Sequence, residues 1–426
     1  MLLKNILASQ SIKDFSSLFF SNIFQKFFGL VREIVIASIL SSSLIYAHFL
    51  MLHSITGIFS QFTSGNSLRA NLLPRFVKVF DKYETVSLHA TGKSLIPIIF
   101  WIFVIMQVIQ SCVLLYLDSE FTTYLFLISF LLSFIVCFNF YISIYLSIIQ
   151  AKGEFLKYSI ATALNEFVVA LFIYPLLYLL NILGFVISRI LGYLSVIYFY
   201  IIPMKIKNNG YKLTLGKEDF NIPTLVLGNF ANIIILSSRF ISGGDGGSSI
   251  TYFTYSIFIL NAILTVVVAN ISTLLLKKLS IKKNNRFMLM SILISFIVGV
   301  FLVIALHLYG YNLVELLFVR GNFTVTDAVR TTDYLNKLSC SFVFIFIATT
   351  LFQPFLSLKI EDSKIVRRKM SILFISTIIL SFIFAFTQKF NVQLESIIVI
   401  YTCSFVGFLL SLYSYFYYIK QNKKWN

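Results

Sequence analysis

FSSLFFSNIFQKFFGLVREIVIASIL, residues 15–40, is long and apolar enough to cross a bilayer, yet Lys26, Arg32 and Glu33 stand in its middle. A spanning helix needs about 20 mainly apolar residues, and a charge at its centre costs on the order of 3 kcal/mol. Ionisable groups at that depth face a bundle interior or a water-filled cavity, and they mark function. Lys26 follows Lys13 by thirteen residues, about 20 Å along a helix axis, too deep for easy snorkelling to the surface.

The rest of the chain supplies the context. Of its 426 residues 58% are hydrophobic and 12% charged, where soluble domains run near half and a quarter. No polar stretch is long enough for a separate soluble domain, and the first apolar run carries no small-residue cleavage site, so it reads as an anchor and not as a removable signal. Apolar runs near twenty residues predict twelve spans, at 15–40, 44–63, 94–117, 123–150, 156–180, 182–204, 222–241, 250–276, 287–309, 338–358, 370–388 and 396–418. The expected fold is an all-α integral membrane protein, and the even number of spans allows two six-helix lobes.

The 34 Lys and Arg against 17 Asp and Glu give a net charge of +17. These basic residues alternate from one connection to the next. Those around Lys82, Lys152, Lys205, Lys277, Lys364 and Lys420 share one side with Lys4 and Lys13, whereas only Arg239, Arg320, Arg330, Lys337 and Lys389 fall on the other. The positive-inside rule places both termini in the cytoplasm. The charge therefore reads as topology with anionic lipid contact, not as a nucleic-acid surface.

The halves are expected at 1–204 and 221–426, with 205–220 as a cytoplasmic linker. A faint repeat links Leu72-Leu73-Pro74-Arg75 after the second span with Leu274-Leu275-Leu276-Lys277 after the eighth. Ser41-Ser42-Ser43, Asp118 to Phe121 and Gly243 to Gly247 read as short external connections, the last flexible, and Tyr309 to Lys337 as the one sizeable loop. So little external chain argues against an extracytoplasmic catalytic domain.

Cys112, Cys137, Cys340 and Cys403 lie in apolar stretches without CxxC spacing and read as buried thiols. His48, His53 and His307 lack the carboxylate company of a metal site and read as satisfied polar residues. No metal or cofactor is expected. Lys26 and Glu33, seven apart, share nearly one helix face, and Arg32 projects roughly 120° away. Arg32 can clamp an anionic group through its planar fork, with Lys26 as a second cation and Glu33 as orienter. The other reading is a structural network tying the first span to its neighbours. Glu166 in the fifth span and Arg189 in the sixth are the remaining intramembrane charges, as each other's partner or as a coupling site.

Gly29-Leu30-Val31-Arg32-Glu33-Ile34-Val35-Ile36-Ala37, with a short small-residue loop and a helix ending near Leu72-Leu73-Pro74, resembles the opening of the MurJ/MviN lipid II flippases. These belong to the multidrug/oligosaccharidyl-lipid/polysaccharide (MOP) exporter superfamily. The stretch from Leu316 to Asp327, containing Arg320-Gly321-Asn322-Phe323-Thr324, is similar to an external motif of that family, and Leu164-Asn165 is a minor third match. The resemblance implies two lobes around a cationic cavity, with a polyprenyl-pyrophosphate-linked saccharide taken from the cytoplasmic leaflet and released outside. Lys26 and Arg32 fall at basic positions of the family's first helix. Arg320, Gly321 and Phe323 would then form an external gate.

Other family positions are not kept. The acidic residue of the second span falls at about Ala47, its paired arginines at about Ser60 and Gln61, and the Asp-Arg of the eighth at about Ser256 and Ile257. The final helix pair of the family is missing too. The sequence thus reads as a non-enzymatic flippase for a lipid-linked cell-envelope saccharide, in contact with membrane lipids and with other envelope-biosynthesis proteins. The alternatives are an exporter of O-antigen or capsule repeat units, a membrane glycan polymerase or acyltransferase, and a transport-dead interaction subunit.

Overall fold

Helix occupies the described part of each of the twelve expected spans in a computed structural model that describes residues 10–63, 66–83, 86–117, 122–206, 210–216, 220–268, 285–356, 358, 360–388 and 391–423. The first elements are α1 (Gln10–Leu40), α2 (Leu44–Thr63), α3 (Asn66–Lys82), β1 (Val86–Ser87), α4 (His89–Leu117), α5 (Thr122–Ala151) and α6 (Phe155–Leu180). Next come α7 (Ile182–Val196), a π-helical turn at Ile197–Ile201, α8 (Ile202–Ile206) and β2 (Tyr211–Lys212). The second half holds α9 (Ile222–Gly228), α10 (Phe230–Ile241), α11 (Ser249–Ile263) with a π turn at Leu264–Val268, α12 (Asn285–Phe318), α13 (Val325–Leu356), α14 (Ile360–Gln388) and α15 (Val392–Lys423). Among the described residues eight helices are long and apolar enough to cross a membrane, nine if α9 and α10 form one span. The chain is a multi-pass membrane protein.

Two compact units emerge, Met1–Ile39 with Phe59–Asn221 and Leu40–Ile58 with Ile222–Asn426. In the first, α5 carries the core stripe: Leu125, Ile128, Leu132, Val136, Phe140, Ile144 and Ile148 recur at helical spacing and are all buried. In the second, α13 is the most deeply buried of the eight spans, with Leu335, Leu338, Phe342, Ile345 and Phe346 sealed from the exterior. Phe100, Trp101 and Leu115 on α4, Leu171 and Leu179 on α6, and Phe301 and Leu308 on α12 are exposed. In a bilayer such side chains meet lipid at no cost, because acyl chains are as apolar as they are.

Local chemistry explains the irregularities. The π turn ends just before Pro203, whose ring excludes the usual carbonyl four residues back; the Ile202 amide reaches the Ile197 carbonyl instead. The expected span 222–241 is bent by 75° where α9 gives way to α10 at Asn229. Residues 309–337 are not a large loop. Helices α12 and α13 run through most of the segment and leave a tight turn at 319–324. Gly321 sits there at φ 59°, a conformation a side chain would strain, and the Phe323 amide closes the turn on the Arg320 carbonyl at 3.2 Å.

The second span does not run out through Pro74, which lies in the separate amphipathic helix α3. Residues 210–216, within the expected linker, are stitched to the first unit. β2 pairs in parallel with β1, the Arg75 guanidinium donates to the Thr214 carbonyl at 2.9 Å, and the Thr91 hydroxyl donates to the Leu213 carbonyl at 2.8 Å. Residues 40–58, early in the chain, pack with the second unit. The Leu274 to Lys277 echo, the Asp118 to Phe121 loop and Lys389 lie outside the described residues.

Candidate functional site

A polar seam joins α1 to α6 inside the first unit. Ser21, Gln25 and Arg32 fall on one face of α1, and Ser159, Thr162 and Glu166 on one face of α6, because offsets of three, four, seven and eleven residues nearly close whole helical turns. The Ser21 hydroxyl donates to the Ser159 carbonyl at 2.9 Å, and the Gln25 amide donates to the hydroxyls of Ser21 and Thr162 at 3.0 and 2.9 Å. Interhelical hydrogen bonds of this kind hold membrane helices together where apolar packing alone does not distinguish protein from lipid.

The seam ends in charge. Arg32 donates through Nη1 to Glu166 Oε2 at 2.7 Å, and through Nη2 and Nε to Glu33 Oε1 at 3.0 and 3.2 Å. Arg189 of α7 donates through Nη1 to the other Glu166 oxygen at 2.9 Å, with its guanidinium 5.9 Å from the Phe185 ring. Lys26 is close enough to interact electrostatically with both Arg32 and Glu166. Three basic and two acidic residues thus share one locus, a formal balance of one positive charge. The side chains of Arg32, Glu33, Glu166 and Arg189 keep 12 to 20% of their surface exposed, so the cluster is not sealed.

Close packing of α6 against α7 sets this geometry. At Gly192 any Cβ would stand 2.5 Å from Asn165 Oδ1 and 2.8 Å from a Val169 methyl, so only glycine lets the helices approach here. That approach brings Arg189, three residues earlier, onto Glu166. Glu166 and Arg189 form the pair that their types suggested, and the structure adds Arg32 to it from 134 residues away. Tyr193, one turn beyond Arg189, also lies within electrostatic reach of Glu166, Arg189 and Arg32; nothing in its local sequence singled it out.

In the second unit, Phe323 is buried and packs against Tyr255 and Phe318, with ring centroids 5.3 and 5.8 Å away, while Arg320 and Gly321 are exposed. The polar centre beside them is Asp327. Its carboxylate accepts from the hydroxyls of Ser41 (3.2 Å), Ser42 (3.1 Å), Tyr252 (2.9 Å) and Thr324 (2.8 Å), and from the Thr324 amide (2.9 Å). Thr324 and Asp327 form a capping box at the start of α13, each side chain bonding the other's amide. The Thr-x-x-Asp spacing carried that signal in the sequence; the contacts to Ser41, Ser42 and Tyr252 did not.

Several residues sit elsewhere than their chain order suggests. Arg239 is buried, donating to Ser54 Oγ at 2.7 Å and lying 3.1 Å from His53 Nδ1. Arg367, counted among the surface basic residues, is sealed; it donates to Ser363 and Thr224 and to the Leu358 carbonyl beyond the end of α13. Cys112 and Cys340 are exposed, and only Cys137 and Cys403 are buried thiols. His48 Nδ1 is buried without a hydrogen-bond partner among the described residues, so that histidine is not fully satisfied.

No known protein family's sequence profile matches this chain, and no curated protein matches it. Solved structures do. The chain is similar to a lipid II flippase MurJ in an inward closed conformation, at TM-score 0.73 and 17% identity, covering 94% of this chain and 87% of that one. It is similar to an inward-facing multidrug resistance MATE family transporter of the MOP superfamily, at TM-score 0.67 and 14% identity over 93% and 96% of the two chains. A Vibrio cholerae MATE transporter, VcmN, superposes at TM-score 0.59 and 13% identity over 100% and 99%. The all-α fold of this chain is the fold of these MOP-type membrane transporters.

Proposed function

We propose that this protein is a divergent MOP-superfamily flippase that moves a polyprenyl-pyrophosphate-linked saccharide of the lipid II type from the cytoplasmic to the outer leaflet by alternating access. It would act in the bacterial cytoplasmic membrane with both termini in the cytoplasm, changing no covalent bond. The observation that carries the reading is the incompletely sealed, net positive cluster of Lys26, Arg32, Glu33, Glu166 and Arg189 at membrane depth. Guanidinium forks bind phosphate oxygens with strong, oriented hydrogen bonds, each worth roughly 1.5–3 kcal/mol. The positive balance favours an anionic cargo over the cationic ones that an acidic pocket would select.

The likeness of fold to a lipid II flippase supports the same cargo class. The test is complementation: expression in a bacterial strain depleted of its lipid II flippase should restore growth and translocation of the precursor. Failure to do so, with the protein present in the membrane at normal abundance, would overturn lipid II as the cargo.

A further inference from the structure

We infer that Glu166 holds, in the unloaded protein, the place of the cargo's anionic linkage, and that binding is an exchange in which Arg32 passes from Glu166 to a phosphate oxygen. The inference rests on the function proposed above. Two guanidinium groups from different helices each take a separate oxygen of this one carboxylate, Arg32 at 2.7 Å and Arg189 at 2.9 Å. That is the arrangement the same groups would adopt on two oxygens of a phosphate, so the Glu166 carboxylate stands in for one.

The parts needed for an exchange are present. Glu33 grips Arg32 through Nη2 and Nε and keeps the guanidinium oriented when Nη1 lets go of Glu166. Lys26 has no hydrogen-bond or ion-pair partner among the described residues and stands within electrostatic reach of Glu166, where an arriving anion would meet it. The partial exposure of all four paired side chains leaves a ligand oxygen room to approach.

Charge then sets selectivity. An unmasked cluster of two arginines and a lysine inside a bilayer would be filled by ordinary phospholipids, whose phosphodiesters vastly outnumber any lipid-linked saccharide. Glu166 carries one negative charge and, tethered beside the guanidinium groups at high effective concentration, outcompetes a singly charged phosphodiester. A diphosphate ester carries more charge and more oxygens, and it outcompetes the carboxylate. Glu166 is therefore a specificity residue, a built-in competitor that excludes bulk lipid and yields to a diphosphate.

The experiment measures binding of farnesyl diphosphate and of dihexanoyl phosphatidylglycerol to the purified full-length protein in detergent. The unaltered protein should prefer the diphosphate. Glu166→Gln should bind both probes more tightly, the phosphatidylglycerol by about tenfold or more, so that the preference narrows. Glu166→Asp keeps the charge but shortens the reach, and should give an increase of about threefold; it decides the matter if the glutamine variant fails to fold. Unchanged or weaker phosphatidylglycerol binding in whichever variant folds overturns the exchange, even where Arg32→Ala abolishes diphosphate binding and so upholds the proposed function. Equal diphosphate binding by Arg32→Ala and the unaltered protein overturns the proposed function, and the exchange with it.

Discussion

Arg32 divides its donor nitrogens between Glu33 on its own helix and Glu166 on α6. Lysine could keep the charge but not both grips, because an ammonium is a point charge without a planar fork. Arg32→Lys should therefore lower translocation partly. Arg32→Ala should abolish it while the protein still inserts, since Arg189 remains to neutralise Glu166. Membrane abundance and detergent melting temperature, measured beside transport, check this; an alanine variant that is stable, abundant and fully active would refute the site. Asp327 offers a contrasting residue, one whose partners are all neutral and whose work is structural. Asp327 is the third residue of α13 in its capping box, and hydrogen bonds to a charged group are worth roughly 1.5–3 kcal/mol. Asp327→Ala should thus destabilise by about 2 kcal/mol or more, read as a lower melting temperature, with Asp327→Asn recovering part of the loss.

Among the helices, the α6–α7 pair illustrates how a residue without a functional group positions a site. Gly192 carries no functional group, yet the contact it permits puts Arg189 onto Glu166. Gly192→Leu should force the helices apart at a strain cost of about 1–3 kcal/mol. Transport should fall further than the modest drop in melting temperature alone would explain. A leucine variant with normal transport would show that the Arg189 contact is dispensable. Arg367 does comparable work for α13, placing one guanidinium against the carbonyls of its final turn and the segment after it, where a helix end otherwise leaves acceptors without donors.

For the molecule as a whole, the alternation of basic residues predicts sidedness. Cysteine introduced at Asn322, in the α12–α13 turn, should react with an impermeant maleimide added from outside, and cysteine at Lys364 only after the membrane is opened. Both positions are exposed on the protein. Labelling of both from one side would refute the topology. Ser42 and Gly246, far apart in the chain, belong to the same unit, so a cross-link between them would stay within that unit. The glycine-rich turn that holds Gly246 is itself ordered by Asp245, which accepts from the Gly247 amide at 2.9 Å and the Ser249 hydroxyl at 2.6 Å.

Hydropathy, basic-residue alternation and the types of the buried charges belong to the sequence, because lipid imposes on each segment separately a length, an apolar composition and a penalty for ions. The helical character of the twelve expected spans and the candidacy of Lys26, Arg32, Glu33, Glu166 and Arg189 were legible on that ground. Of the charge pairs, only Glu166 with Arg189 was. The pairing of Arg32 with Glu166, the grip of Ser41 and Ser42 on Asp327, the burial of Arg239 and Arg367, and the membership of residues 40–58 in the second unit join positions from nine to 286 residues apart. Such contacts depend on which helix faces meet. Adjacent spans in this chain are alike in composition, so only close-approach positions such as Gly192, and the polar groups that must find one another away from water, decide between otherwise equivalent packings.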